Sequence, residues 1–170
     1  MLVQPTIYWT MFKYNDTQFT LATTDEGLCF TGALNKDESE LLEWAKKCFK
    51  GSEVIEDAEK VAPYVQMFNE YFAGERTQFD LPIYYRGTAF QERIWQVLQD
   101  IPYGETCSYS DIAQRIGNPK AVRAVGGAIG ANPVMIVVPC HRVIGKNGSL
   151  TGFRGGLELK KLLLTIEGIK

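Results

Sequence analysis

The sequence predicts an α/β (α+β) protein built from two small domains, with strands near the N-terminus and helices in the second half. Runs rich in β-branched and aromatic residues occupy 6–12, 18–24 and 28–34, whereas beyond residue 87 apolar residues recur at helical spacing. Charge divides at the same place: residues 1–86 carry 8 Lys/Arg against 14 Asp/Glu, and residues 87–170 carry 10 against 6. We therefore expect domains at 1–86 and 87–170. The basic second half indicates either an anionic partner or chance drift between two domains.

Composition excludes several classes of protein. A chain of 170 residues with 45% hydrophobic and 22% charged residues is not disordered, collagen-like or a coiled coil. No apolar run approaches the ~18 residues that cross a bilayer, and no secretory signal is visible, so we expect no membrane partner. Four widely spaced cysteines without a CxxC pair suit reduced thiols, which predicts a cytoplasmic protein. Because the chain has a single histidine, we expect no metal and no cofactor.

The first half predicts an antiparallel meander followed by helices. Asn15-Asp16 and the Asp25-Glu26-Gly27 triplet supply turns between the three strands. Apolar residues at helical spacing then predict one helix over 38–50 and a second over 56–73.

The second half predicts a helix over 91–101 and then two short helices. Ser108 begins the first of these, with Asp111 completing an approximate capping box. Gly117 ends it, Asn118 is placed to cap the next, and Pro119 would lie in that helix's first turn. The following helix runs from Lys120 to about Gly130. Two short helices so tightly joined predict a helix-turn-helix.

The last of these helices has one bare face. Val122, Val125 and Ile129 share the apolar side, while the opposite side carries two cations and otherwise small residues (Lys120, Arg123, Ala124, Gly127, Ala131). Helical glycines cost about 1 kcal/mol each relative to alanine, so Gly126-Gly127 indicate close approach of another surface. That surface is either a DNA groove, entered by Arg123, or a neighbouring helix.

Chemistry is indicated at Cys140-His141. The apolar run 134–138 predicts a short buried strand that ends at Pro139. A neighbouring imidazole or arginine lowers a thiol pKa toward neutrality and makes the thiolate a nucleophile. Adjacent side chains in an extended chain point to opposite faces, so the two cooperate only through a turn or a water. A buried structural cysteine remains the alternative.

A carboxylate at the end of the last helix is the third candidate. The helix predicted over 156–168 ends with Glu167, where the helix dipole disfavours a negative charge, and with Gly168 as its terminator. A carboxylate can orient a histidine, as in triad logic. An ordinary exposed glutamate near the chain end is the competing interpretation.

The stretch 117–168, and above all its PCHRV block at 139–143, resembles the O6-alkylguanine-DNA alkyltransferases, the methylated-DNA–protein-cysteine methyltransferases. The resemblance runs from about Gly87 to Gly168; before Gly87 it lies only in the order of elements. It implies an RNase H-like N-terminal domain and a winged-helix-like C-terminal domain. It also implies DNA repair, with one irreversible transfer of an alkyl group from O6-alkylguanine to Cys140 after the nucleotide is flipped; the preference between guanine and thymine lesions stays open.

Roles for individual residues follow from the resemblance alone. His141 would act as base through a bridging water, with Glu167 orienting it, while Tyr109 would donate a proton to the departing base and Asn132 would brace the turn before the active site. The resemblance further implies DNA contacts in the minor groove and a substrate pocket closed by residues 149–156. The expected DNA contacts are Arg123, Ser110, Asn118, Lys120, Gly126, Gly127 and Lys146, and the expected pocket residues are Val143, Phe153, Arg154 and Lys160.

The resemblance leaves other expectations and alternatives. It implies a monomer, and with a single histidine the chain should lack the zinc that some relatives hold. The alternatives are an alkyltransferase-like protein that binds lesions without removing them, a helix-turn-helix regulator and a cysteine hydrolase. Cys140 argues against the first, because that class lacks the acceptor. Few long polar side chains on the recognition helix argue against the second, and turnover would identify the third.

Overall fold

The computed structural model describes residues 4–169, which form two compact units divided between Arg86 and Gly87. The elements of the first unit are β1 (Ile7–Tyr14), β2 (Thr17–Thr24), β3 (Gly27–Thr31), α1 (Ser39–Cys48), β4 (Val54–Glu56) and α2 (Ala58–Phe72). Those of the second are α3 (Ala89–Leu98), β5 (Cys107–Ser108), α4 (Tyr109–Arg115), α5 (Val122–Gly130), β6 (Val143–Ile144) and α6 (Leu157–Ile166). The predicted α/β class is confirmed.

The first unit is a four-stranded sheet in the order β3-β2-β1-β4. The predicted meander β1-β2-β3 is antiparallel, and Asn15 makes its first turn at φ +52°, a left-handed conformation that asparagine tolerates. Strand β4, which we did not predict, pairs parallel to β1. At the other edge the chain near Pro82 approaches so closely that a Cβ on Gly27 would lie 2.8 Å from that residue's carbonyl.

Helices cover both faces of this sheet. Phe12 and Phe19 face one another across β1 and β2 and pack with Phe68 of α2. The side chains that alternate with these along each strand, such as Ile7 and Ala22, point to the opposite face of the sheet and form a core with α1. The first unit is therefore a three-layer α/β/α arrangement.

The second unit is helical, and its capping signals agree with the sequence. The Ser108 hydroxyl accepts a hydrogen bond from the Asp111 backbone amide, and the Asp111 carboxylate accepts one from the Ser108 amide, so the predicted capping box is confirmed. The indole of Trp95 on α3 donates to the Ala128 carbonyl on α5 at 2.8 Å, which joins these helices in the core. The short parallel pair β5-β6 lies beside them.

The start of α5 differs from the prediction. Asn118 does not cap this helix: the helix begins at Val122 after Ala121, without a side-chain cap. The Ala121 amide instead bonds to the Asn118 carbonyl at 3.0 Å, which closes a turn with Pro119 at its second position, a position that proline favours. Lys120 therefore lies in the turn and not in the helix.

The predicted strand over 134–138 is also wrong. The Val138 amide reaches back to the Val134 carbonyl, and Ile136 has φ +79°, so this segment is a compact loop. Asn132 holds both ends, accepting from the Val134 amide and donating to the Val138 carbonyl, each at 3.0 Å. The run is apolar because the loop is buried.

Candidate active site

Cys140, His141 and Arg142 form a single 3₁₀ turn directly after this loop. The Arg142 amide bonds to the Pro139 carbonyl at 3.0 Å. All three side chains are buried, Cys140 being 3% exposed and His141 fully enclosed. Because the chain turns here, the alternation of an extended strand no longer separates the thiol from the imidazole.

Glu167, at the C-terminal end of α6, receives four donors. Its Oε2 lies 2.6 Å from His141 Nε2 and 3.1 Å from Arg142 Nη2. Its Oε1 accepts from Arg142 Nε at 2.7 Å and from the Gly104 amide at 3.3 Å. The side chain is fully buried, so the competing interpretation of an exposed glutamate is wrong. The unfavourable position at the helix end is compensated by the Arg142 guanidinium.

The imidazole of His141 is neutral, with a defined tautomer. Burial lowers the pKa of His141, and the charges of Arg142 and Lys160 lower it further, although the hydrogen bond that His141 donates to Glu167 raises it. Since a carboxylate only accepts, Nε2 carries the hydrogen and Nδ1 presents its lone pair. Nδ1 is buried and has no hydrogen-bond partner among residues 4–169. A free lone pair is thus available on the residue that directly follows Cys140.

The thiol of Cys140 is protonated in the free protein. Burial raises the pKa of Cys140; the hydrogen bond from Asn132 and the charges of Arg154 and Lys160 oppose this rise without overcoming it. Our expectation of a pKa lowered toward neutrality is therefore wrong for this state, because desolvation of a thiolate outweighs nearby cations. The thiol needs a base to react.

Lys160 supplies a buried cation to the same site. Its side chain is fully buried on α6, and Nζ donates to the Val143 carbonyl at 2.8 Å and lies 5.9 Å from the centre of the Phe153 ring. Burial lowers the pKa of Lys160, and the proximity of Cys140 raises it. The predicted pocket residue Arg154 bonds to the carbonyls of Asn132 and Pro133, and its charge, like that of Lys160, acts on Cys140. Together with the contacts of Lys160 to Val143 and Phe153, this places all four predicted pocket residues around the same site.

Tyr109 connects this site to the helix-turn-helix. Its phenol oxygen lies 2.7 Å from Thr151 Oγ1 in the loop that joins β6 to α6. The ring lies beside α5, where Tyr109 Cδ1 is 3.9 Å from the position a Cβ on Gly126 would take.

The predicted DNA contacts lie on an accessible surface. Arg123, Ala124 and Gly127 are exposed on α5, as are Asn118 and Lys120 in the preceding turn. A Cβ on Gly127 would meet no protein atom within 4 Å, so this glycine is not explained by packing within the described residues. Ser110 is half-buried and, with the exposed Lys146, lines a polar cavity of about 420 Å³ between α4 and the turn after β6.

Two residues of this site were not found from the sequence. Arg142 was not singled out, although it directly follows His141 and donates twice to Glu167. Thr151 carries no signal of its own in the sequence. Across residues 4–169 no three His, Cys, Asp or Glu side chains are grouped to hold a metal, and none of the described helices is long and apolar enough to cross a membrane.

Comparison with known proteins gives the family. Residues 7–85 match the ribonuclease-like domain of 6-O-methylguanine DNA methyltransferase, and residues 89–169 match its DNA binding domain. An inducible methylated-DNA–protein-cysteine methyltransferase of Bacillus subtilis is 56% identical over 96% of this chain and 92% of its own length. One from Methanosarcina acetivorans is 41% identical over 95% and 99%.

A solved structure agrees with these relatives. The crystal structure of Mycobacterium tuberculosis OGT in complex with DNA is similar with a TM-score of 0.81 and 41% identity, covering 94% of this chain and 92% of that one. The sequence resemblance is therefore confirmed over both units. This chain belongs to the methylated-DNA–protein-cysteine methyltransferase family.

Proposed function

We propose that this protein repairs DNA by transferring the alkyl group of O6-alkylguanine to Sγ of Cys140. The observation that carries the proposal is the buried His141, which directly follows Cys140 in the 3₁₀ turn: its Nε2 is bound to Glu167, while Nδ1 has no hydrogen-bond partner among the described residues. A neutral thiol beside an unpaired buried base is arranged for general-base activation. The relatives' names describe the same chemistry.

The transfer balances with the groups present. The thiol proton moves through a bridging water to Nδ1 of His141, and Sγ attacks the alkyl carbon as the bond from that carbon to O6 breaks. Tyr109 gives its phenolic proton to a ring nitrogen of the departing guanine, which leaves neutral. The product thioether is not cleaved by any group at the site, so each molecule reacts once.

Orientation of the base is the role of the buried ion pair. Glu167 fixes the tautomer of His141, and Arg142 neutralises Glu167, so the imidazole stays uncharged until it accepts the thiol proton. Asn132 supports the loop before the turn and also hydrogen-bonds the thiol, which favours the thiolate as it forms.

The target base must leave the duplex to reach a thiol that is 3% exposed. The exposed small residues of α5 suit close approach to the minor groove, and Arg123 protrudes from that face to enter the stack in place of the flipped nucleotide. Gly126 and Gly127 keep the helix narrow. The M. tuberculosis relative was crystallised with DNA.

Further contacts follow from the exposed groups around this helix. Asn118 and Lys120 precede it, and Ser110 and Lys146 lie at the polar cavity, where they can contact the phosphate backbone. The flipped base would be enclosed by Val143, Phe153, Arg154 and Lys160. Binding should weaken steeply with salt as counterions are released; a flat salt response would contradict this interface.

We assign the nucleic-acid role to residues 87–170, which carry the excess of cations, and a scaffolding role to residues 1–86. The protein acts as a monomer, since the resemblance implies a complete site in one chain and the described site draws every group from the second unit. All four cysteines are free thiols, which favours a reducing compartment such as the cytoplasm.

The proposal is tested by locating the transferred group. After incubation with a duplex that holds one O6-methylguanine, trypsin cleavage at Arg123 and Arg142 releases the peptide 124–142, whose sole cysteine is Cys140. This peptide should gain the mass of one CH₂, in an amount equal to the protein. A gain on another cysteine, or repeated turnover, would contradict the mechanism.

Two cysteine variants provide the matched control. Cys140→Ser should abolish transfer and retain DNA binding, whereas Cys48→Ser should retain both, because Cys48 lies on α1 in the first unit and the described site draws its groups from the second. Loss of DNA binding in Cys140→Ser would indicate a structural cysteine.

A further inference from the structure

The Tyr109 hydroxyl is held by a residue distant in sequence. Thr151 Oγ1 lies 2.7 Å from the phenol oxygen, 42 residues along the chain, and both side chains are half-buried. Either oxygen can be the donor in this pair. The ring itself is placed by α5 near Gly126, so ring packing does not determine where the hydroxyl hydrogen points.

We propose that Thr151 is a positioning residue for Tyr109. The Thr151 hydroxyl donates to the phenol oxygen, which directs the phenolic hydrogen toward the flipped base. As that hydrogen moves to the ring nitrogen, the Thr151 hydrogen bond stabilises the negative charge that develops on the phenol oxygen. Thr151 keeps its own proton, and no bond to it is made or broken. The inference rests on the proposed alkyl transfer and deepens it.

Thr151 is itself held in place on both sides. The buried ammonium of Lys160 donates to the Val143 carbonyl at 2.8 Å and lies 3.5 Å from the Thr151 carbonyl. Three residues further on, Arg154 bonds to the carbonyls of Asn132 and Pro133. Because the loop is already anchored, little conformational entropy is lost when the Thr151 hydroxyl hydrogen-bonds to Tyr109 during the reaction.

The test uses single-turnover rates with a duplex that contains O6-methylguanine. Thr151→Val keeps the branched shape and removes the hydroxyl, and should slow transfer about ten- to a hundred-fold, the range for a hydrogen bond to a developing charge. Thr151→Ser keeps the hydroxyl and should remain within about three-fold of the wild type. A serine variant as slow as the valine variant would overturn the proposal, and so would a valine variant that transfers at the wild-type rate or faster.

A double-mutant comparison separates positioning from loop packing. In a Tyr109→Phe background the phenol is absent, so Thr151→Val should slow transfer no further. An equal loss in that background would show that Thr151 acts on the loop alone, which contradicts the proposal.

A readout without DNA distinguishes this inference from the proposed function. The ¹³Cζ resonance of Tyr109 in the free protein should shift in Thr151→Val and stay in place in Thr151→Ser. If wild-type protein transfers no alkyl group, the proposed function fails whatever the resonance does. If transfer occurs and the resonance is unchanged by valine, the hydrogen bond is absent and only the inference fails.

Discussion

Replacing Glu167 by glutamine tests the centre of the site. The carboxylate offers four acceptor positions, and the structure fills all four with donors from His141, Arg142 and the Gly104 amide. A glutamine amide has the same shape but offers one oxygen and one NH₂. Two of the four donors would then face N–H groups, and the buried Arg142 guanidinium would lose its counter-charge.

The magnitude follows from the bonds lost. Hydrogen bonds to charged groups contribute about 1.5–3 kcal/mol each, so losing two costs about 3–6 kcal/mol. Breaking a buried ion pair by removing one partner costs about 3–5 kcal/mol, in agreement. If the glutamine instead presents NH₂ to His141, the imidazole must place its hydrogen on Nδ1 to accept that bond. Nδ1 then cannot accept the thiol proton, and transfer should slow by about 10²–10⁴.

Urea unfolding and single-turnover transfer measure both effects. We expect Glu167→Gln to lower the free energy of unfolding by about 3–5 kcal/mol with an unchanged m-value. Glu105→Gln, at an exposed glutamate of the same unit, is the matched control and should change neither quantity. A loss of stability below about 1 kcal/mol, together with transfer at the wild-type rate, would refute the assignment of Glu167 as the group that compensates Arg142 and orients His141.

Three other outcomes are expected. Burial lowers the pKa of His141, the chain's sole histidine, so the unfolded state binds a proton that the folded state does not. The free energy of unfolding should therefore fall as pH drops below about 6.5, until the lowered pKa is reached. His141→Gln should remove this pH dependence, and a pH dependence unchanged in the variant would contradict the assignment. Burial raises the pKa of Cys107 to about 11, so iodoacetamide at pH 7.5 should modify it about a hundred-fold more slowly than a free cysteine; rapid labelling would show an open site. Trp95→Phe removes the indole donor to the Ala128 carbonyl, which keeps the Ala131 amide as a second donor at 3.2 Å, and should cost about 0.5–1.5 kcal/mol in urea unfolding, whereas a neutral effect would mean that water replaces the indole.

Sequence signals between neighbouring residues predicted most of the fold. The elements that were missed or misassigned depend on contacts between residues distant in the chain or on burial. The meander and the capping box at Ser108 follow from residues near one another in the chain. Strand β4 was missed because Val54–Glu56 is short and its partner is β1, with paired residues such as Ile7 and Val54 lying 47 positions apart. The run 134–138 was misassigned because a buried loop is as apolar as a buried strand. Only Asn132, which holds both ends through its side chain, distinguishes the two.

The candidate site was predicted at positions where a residue is unusual for its local structure. A histidine beside a cysteine and a carboxylate at a helix C-terminus both stood out in the sequence, and the structure joins His141 and Glu167 at 2.6 Å. Arg142 did not stand out because its partner lies 25 residues away. Full burial of Lys160 was equally invisible, since a lysine on a helix is ordinarily exposed.

The raised pKa of Cys140, which the sequence did not predict, explains how the site can react with its substrate and still be protected from unwanted alkylation. A thiolate stable in the free protein would react with any small electrophile, and a single-use acceptor would then be consumed without repairing DNA. Burial raises the pKa of Cys140 and keeps the thiol neutral, while the neutral His141 holds an unused lone pair beside it. In the proposed mechanism, charge on sulfur forms only as the proton moves to Nδ1, with an alkylated base already in the pocket. Burial disfavours the thiolate more than Lys160 and Arg154 favour it, so the thiol stays unreactive at rest, and in the proposed mechanism these two cations offset part of that cost as the charge forms.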